Sequence, residues 1–325
     1  PQARLVLEAI GEDLDMGPIE ELKTGETTSV TYVGLQLDRH PAGIDVHQGT
    51  YVDGLQVPPL TGDTPFKRIP IVSAHDLREA DENEVNMDLQ PTMRSLVGWL
   101  GWSVRTSPTW RVFFDLIARH SHKPCQRHIT MLQRILLRMK DMTAEKQLIR
   151  PVQGNPRLAM FTDGGFESST GTGRIGMVIR IVGEHWSPNN TETKPNNIIM
   201  FNTKRLKTKQ ISSSGPELLA LLYGTKHIWS VLYLCRSLWG ETLGRPLIVI
   251  DSKPVYDQLA TGQAQSEPRL GPALRYTIEQ LVLMNAEVMW SRRANQEADC
   301  LTRPGWPTRQ EGEVRGTAAQ REQTS

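Results

Sequence analysis

Over residues 31–38 apolar and polar positions alternate, with Val33, Leu35 and Leu37 set against Gly34 and Gln36, and after Pro41-Ala42-Gly43 the alternation resumes at Ile44 and Val46. A period of two on either side of a turn predicts a β-hairpin. The residues before it, 1–30, are acidic and polar with few periodic apolar positions, and read as a loosely ordered lead-in. Residues 56–92 are rich in Pro, Asp and Glu and carry no period, which predicts a linker or an irregular excursion. The period then lengthens. Residues 93–102 read as a helix; a second begins after Pro108 with Val112, Phe113, Leu116 and Ile117 on one face; a third, from Arg127, spaces Ile129, Leu132, Leu136 and Met139 by 3, 4 and 3. Together these predict a small helical subdomain.

From residue 157 strands and helices alternate. Apolar runs at 158–162, 174–182 and 198–204, joined by turn-rich segments, predict three strands of an antiparallel meander. Ser212-Ser213-Ser214-Gly215-Pro216-Glu217 is a helix start, with serines to cap and a proline near the first turn, ahead of an apolar run through Leu238. A buried strand at 246–250 ends in Asp251; residues 269–284 read as helix, 286–290 as a short strand, and Asn295 onward as a last helix holding Asp299. The order predicts an α/β sheet of mixed direction. Its first strand runs Leu158-Ala-Met-Phe-Thr into Asp163-Gly164-Gly165, which reads as a carboxylate at the tip of a buried strand where two glycines let the chain turn. A charge there needs a metal or a cation as partner.

Composition narrows this picture. A chain of 325 residues that is 38% apolar can bury two cores. No apolar window stands out as the roughly 20 residues that cross a bilayer, so no membrane partner is expected. The start, Pro1-Gln2-Ala3-Arg4, neither begins with Met nor resembles a signal peptide, so a fragment of a longer chain is expected. Cys125, Cys235 and Cys300 are far apart and form no Cys-x-x-Cys pair, which argues against a zinc site or a disulfide framework and for an intracellular, cytoplasmic setting. The net charge of +1 excludes a globally polyanion-binding protein, so any nucleic-acid surface must come from local clusters. Two clusters qualify: Lys204, Arg205, Lys207 and Lys209 after the third strand, and Arg127, Arg134 and Arg138, with Lys140, on the polar face of the third helix.

Tyr32-Val-Gly-Leu-Gln-Leu, Gly43-Ile-Asp-Val-His-Gln48, Tyr51-Val52, Arg94-Ser-Leu-Val-Gly98, Arg119-His-Ser-His-Lys-Pro124 and the segment His128-Ile-Thr-Met-Leu-Gln-Arg-Ile-Leu resemble, in order and spacing, the part of a copia-type retrotransposon Pol polyprotein that follows the polymerase active site. The resemblance covers residues 12–304. It implies the end of a reverse transcriptase palm with its thumb or connection region over residues 1–150, a small α+β unit of hairpin plus helices. A ribonuclease H-like domain with a mixed five-stranded sheet follows over 151–304, and a disordered tail over 305–325. The chain holds no Asp-Asp pair, so the polymerase carboxylates are expected elsewhere and no DNA synthesis is expected from this piece. Tyr51-Val-Asp-Gly54 is similar in spelling to a polymerase Tyr-x-Asp-Asp turn but follows the hairpin instead of joining two apolar strands.

By the same resemblance Asp163, Glu217, Asp251 and Asp299 correspond to the family's four catalytic and metal-binding carboxylates. Each alone also suits a turn or a helix N-terminus. Gathered at one point, as that fold implies, they would repel unless cations intervene. All-oxygen ligands suit two Mg²⁺ or Mn²⁺ ions, which activate a water and stabilise the departing 3′ oxygen of a phosphodiester. The expected activity is cleavage of the RNA strand of RNA–DNA hybrids, with the hybrid and the remainder of the Pol polyprotein as partners. Two departures stand out. Gly215-Pro216 replaces the usual Glu-Ala before the helical Glu, and no His precedes Asp299, where many ribonucleases H use one to assist product release; Arg292 or Arg293 is the available substitute. The rival reading is a decayed or domesticated element that binds nucleic acid without cutting. Integrase-type strand transfer fits less well, because those cores end their carboxylate set on a helical Glu. Gly171-Thr-Gly173-Arg-Ile-Gly176 spells a dinucleotide motif but leads into a strand, so it reads as a hairpin turn.

Overall fold

The hairpin sequence and the later apolar runs build two separate sheets. The structure, a computed structural model, describes residues 28–60, 78–142, 146–167, 171–189, 197–264 and 267–303. The expected lead-in over 1–27 and the expected tail after 304 lie outside them. The first sheet is antiparallel in the order β1 (Thr28–Tyr32), β2 (Leu35–His40), β3 (Gly43–His47), β4 (Gln147–Ile149). Residues 31–38 are therefore two strands and not one. The chain reverses at Val33 and Gly34, both left-handed (φ 48° and 70°), as a two-residue hairpin requires. Because that turn holds an even number of residues, the alternation runs across it unbroken, which hides it from a period count. Val33, an inward position by pattern, is exposed at the tip.

Helices α1 (Gly49–Gly54), α2 (Gln90–Ser103), α3 (Pro108–Ala118) and α4 (Gln126–Asp141) form the helical subdomain. Its core holds Leu96, Leu100, Phe113, Ile117, Leu132 and Leu136, each contributing about 1.5–3 kcal/mol relative to exposure. The sequence Tyr51-Val-Asp-Gly54 is the body of α1 and packs Val52 into that core, so it is no strand-to-strand turn.

The second sheet has the order β7-β6-β5-β8-β9, built from β5 (Pro156–Glu167), β6 (Thr172–Gly183), β7 (Ile198–Arg205), β8 (Leu247–Ile250) and β9 (Glu287–Trp290). β6 is antiparallel to β5 and β7, whereas β8 is parallel to both β5 and β9. This is the ribonuclease H-like arrangement: a meander of three strands followed by two crossovers. The crossovers run through α5 (Ser214–Trp239), then α6 (Lys253–Thr261) and α7 (Gly271–Leu283), and the described chain closes with α8 (Asp299–Thr302). On β5, Leu158 and Met160 face α5 and α7, while Ala159 and Phe161 face α8.

Helix α5 corrects one expectation. Together with the turn after it, as Ser214–Thr242, it is long and apolar enough to cross a membrane by length and composition. Here one face of it lies on β5 and β6, burying Leu218, Leu221, Ile228 and Leu232; the apolar run serves a core as well as it would serve a bilayer. The two halves of the chain also meet: α3 packs on β7 and α8, and Asp115 of α3 pairs with Arg174 of β6.

Candidate metal and active centre

Asp163 stands in the middle of β5, four residues before its end, and is 1% exposed. The expected turn at Gly164-Gly165 does not occur: both pair onward with Ile175 and Arg174 of β6. These glycines serve close approach. A Cβ on Gly164 would run into the backbone of Glu217 at the start of α5, and one on Gly165 would press on Thr302 of α8 at 3.2 Å. Backbone from two helices thus comes down on the strand on either side of Asp163, where any side chain would hold it away. In the same way a Cβ on Gly176, in register with Asp163, would meet Leu301 at 2.7 Å; of the dinucleotide-like glycines, Gly171 makes the expected turn with φ 64°, while Gly173 and Gly176 belong to β6.

Glu217 lies in the first turn of α5. The serines before it do not cap the helix through their side chains. Ser212 instead donates its N–H (3.1 Å) and its hydroxyl (2.7 Å) to Oε1 of Glu267, a buried carboxylate that also takes Arg269 Nη2 at 2.9 Å. Burial would raise the Glu267 pKa, but the hydrogen bonds from Ser212 and Arg269 outweigh it and hold the group below its usual value. A side chain on Gly215 would collide with that carboxylate, so the departure from Glu-Ala at 215–216 makes room for Glu267.

Asp251 follows β8 directly, beside β5. Ligand atoms of Asp163, Glu217 and Asp251 lie within 4.8 Å of one another. Asp299, the first residue of α8, stands outside this trio, and its Oδ1 meets Arg293 Nη2 at 3.3 Å and Arg303 Nε at 3.6 Å. Arg293, a proposed substitute for the absent His, is thus tied to Asp299, while Arg292 is exposed. Two residues that pattern reading missed complete the centre. Thr302 donates its hydroxyl to Asp163 Oδ2, and Gln296 donates Nε2 to the Thr162 carbonyl at 3.0 Å and to Asp251 Oδ1 at 3.4 Å. Their one sequence signal is proximity to Asp299.

Electrostatics set the trio apart. Burial, with the charges of Asp251 and Asp299 adding to it against the Thr302 hydrogen bond, pushes Asp163 up to about 6. Burial and the neighbouring Asp163 and Asp251 push Glu217 up to about 9, against the N–H of Gly164 that donates to its Oε2 at 2.9 Å. Full charges at this spacing repel by on the order of 3 kcal/mol a pair at an effective dielectric near 20. The donor set fits hard divalent cations: three carboxylates, with no His or Cys, spread widely enough to admit ions between them.

The basic residues divide. Lys204, Arg205, Lys207 and Lys209 are exposed at the end of β7 and in the loop to α5. Three of those on α4 are engaged within their own subdomain. Arg127 pairs with Glu84 at 2.8 Å, Arg138 with Asp141 at 3.0 Å, and Lys140 donates to the Leu55 carbonyl at 2.6 Å; Arg134 is half-buried. Arg127 and Lys140 thus hold preceding segments in place and Arg138 is tied to its own helix, which leaves Arg134 as the α4 cation without such a partner among the described residues.

No protein-family model and no curated protein matches the sequence. Solved structures similar to it include RNase H1 from the halophilic archaeon Halobacterium salinarum NRC-1, at 17% identity and a TM-score of 0.30, covering 45% of this chain and 94% of that one. The N-terminal RNase H domain of rv2228c from Mycobacterium tuberculosis is similar at 16% identity and a TM-score of 0.32, over 50% of this chain and 98% of that one. A foamy viral protease-reverse transcriptase, solved in complex with dsDNA, is similar at 14% identity and a TM-score of 0.32, over 47% and 96%. The site's own geometry, and not these likenesses, carries the functional reading.

Proposed function

We propose that the chain is an endonuclease for the RNA strand of RNA–DNA hybrids, joined to the non-catalytic end of a reverse transcriptase of a copia-type Pol polyprotein. One observation carries the reading: a trio of carboxylates, from a central strand, the next strand over and the helix above them, lies within 4.8 Å with one member almost fully buried. Such a group has no use for folding, since its charges oppose one another. Asp163, Glu217 and Asp251 would hold two Mg²⁺ or Mn²⁺ ions, with Asp299 at the margin. Ions there supply water activation and charge stabilisation at the scissile phosphate. Thr302 and Gln296 orient Asp163 and Asp251, and the close-packed Gly164 fixes Glu217 over the strand. Lys204, Arg205, Lys207 and Lys209 would receive the hybrid's phosphates; Arg127, Arg134 and Arg138 rank behind them.

The test is incubation of a labelled RNA strand, annealed to DNA, with the protein and Mg²⁺, beside a double-stranded RNA control. Cutting of the hybrid alone is expected. Tight hybrid binding without cutting would replace this reading with the decayed, binding-only one.

A further inference from the structure

The seam between the two halves carries arginines that the acidic centre does not use. Arg111, Asp115 and Arg119 fall four residues apart and so share one side of α3 and its continuation. That side runs along the sheet: Arg111 Nη2 donates to Asn202 Oδ1 of β7 at 3.3 Å, and Asp115 pairs with Arg174, whose cross-strand neighbour is Arg205. Beside them a cleft of about 320 Å³ is lined by Arg105, Arg111, Gln147 and β7 residues 199–202. Both guanidinium groups are held over aromatic rings, Arg105 at 4.4 Å from the Trp102 centroid and Arg111 at 5.0 Å from that of Phe114. Among the described residues neither is ion-paired with a carboxylate, and the Nε of Arg111 is buried without a hydrogen-bond partner.

Three properties of this cleft point the same way. Its two arginines are not ion-paired among the described residues, whereas Arg127 and Arg138 of α4 are. Its donors are pre-oriented, because a guanidinium stacked on a ring keeps its edge free to form the paired hydrogen bonds that suit phosphate. Its floor is the edge strand of the sheet, where backbone N–H groups on the outer side have no neighbouring strand to donate to. A peptide strand added to that edge would satisfy the backbone but leave two positive charges facing it. A phosphodiester chain satisfies both. The position is also suitable: Asn202 adjoins Thr203, which stands in register with Gly176 and through it with Asp163, two strand spacings or roughly 10 Å away.

We propose that this cleft seats the backbone of the uncut DNA strand of the hybrid, with Arg105 and Arg111 as its phosphate contacts. The identity of the duplex rests on the nuclease reading above; the cleft's preference for a polyanion does not. The test uses the full chain in an Asp163→Asn background, so that substrate stays whole, and follows hybrid binding by fluorescence anisotropy across a KCl series. Arg105→Ala/Arg111→Ala should bind about tenfold more weakly near physiological salt, and its log–log salt slope should fall by about 0.7–0.9 per lost contact. Arg105→Lys/Arg111→Lys should keep the slope and lose part of the affinity. Should the alanine pair fail to fold, the exposed Arg105→Gln alone should lower the slope by about 0.7–0.9. Unchanged affinity and slope would overturn the proposal. So would a lysine pair that loses as much slope as the alanine pair, since packing on Trp102 and Phe114 would then be the residues' role. Loss of self-association alone, with hybrid affinity intact, would assign the edge to an added strand instead. Cleavage by the wild type is read separately. A wild type that cuts while the alanine pair binds normally sinks only the cleft, and a wild type that binds in a cleft-dependent way but never cuts sinks only the nuclease reading.

Discussion

Asp163 and Glu217 are carboxyl groups that the fold makes reluctant to ionise, to about 6 and about 9. Both shifts are upward, so the stabilisation they contribute is fully present below their unfolded values of roughly 4 and is lost as pH rises through the folded ones. The metal-free protein should therefore melt at progressively lower temperature from about pH 5 to about pH 9. Glu217→Gln should flatten most of that slope, and Asp163→Asn the part near pH 6. Calorimetric melting in a chelator checks this, and a wild-type melting temperature that climbs over the range would contradict it. Thr302 is the second residue-scale test. Its hydroxyl donates to Asp163, so Thr302→Val should cost about 10–100-fold in metal affinity or activity, as loss of a ligand's supporting hydrogen bond does, with little change in melting temperature. The trio was legible because Asp163, Glu217 and Asp251 each border an apolar run, although Asp163, read as a strand tip, lies in the middle of β5, and Asp299 stands apart from them. Thr302 and Gln296 were not, since a single Thr or Gln beside a short helix carries no pattern.

At the scale of elements, every strand of the second sheet and its long helix could be read from periodicity, and the errors have a common cause. Gly164-Gly165 was read as a turn because glycine supplies left-handed backbone, but here it supplies the absence of a side chain under Glu217 and beside Thr302. The serines ahead of α5 were read as caps because they precede a helix, but none caps it through its side chain, and Ser212 is claimed by a carboxylate 55 residues downstream. Sequence shows what a residue is able to do locally; which use prevails depends on a partner brought in by the fold. The Gly215–Glu267 contact makes this testable. Gly215→Ala should destabilise by about 1–3 kcal/mol, the usual cost of overpacking, by displacing a carboxylate that Ser212 and Arg269 hold. Glu267→Ala should lose those hydrogen bonds. In the double variant the clash is gone, so its loss should fall short of the sum of the two, a coupling readable by denaturant unfolding. Strict additivity would show that the two positions do not meet.

The whole molecule joins a helical subdomain to a ribonuclease H-like sheet through α3, which lies on β7 and α8 next to the acidic centre. This arrangement was the least legible part of the chain. Periodicity identifies which face of α3 is apolar but not which surface Arg111 and Asp115 reach, and the basic face of α4 looked more promising on charge alone. Nor was the length of the apolar run in α5 read correctly: no window of bilayer length was expected, yet Ser214–Thr242 has it, and its packing on β5 and β6 makes it a core helix. The central claim is that three carboxylates, gathered where the middle of β5 lies beside the end of β8, cut RNA paired to DNA with divalent ions. Its most direct test is end-group analysis of the RNA after a single turnover on a hybrid labelled at either end. The account predicts Mg²⁺-dependent internal cuts leaving 5′-phosphate and 3′-hydroxyl ends, abolished by chelator and by Asp163→Asn. Metal-independent products ending in 2′,3′-cyclic phosphate, or undiminished cutting by Asp163→Asn, would contradict it.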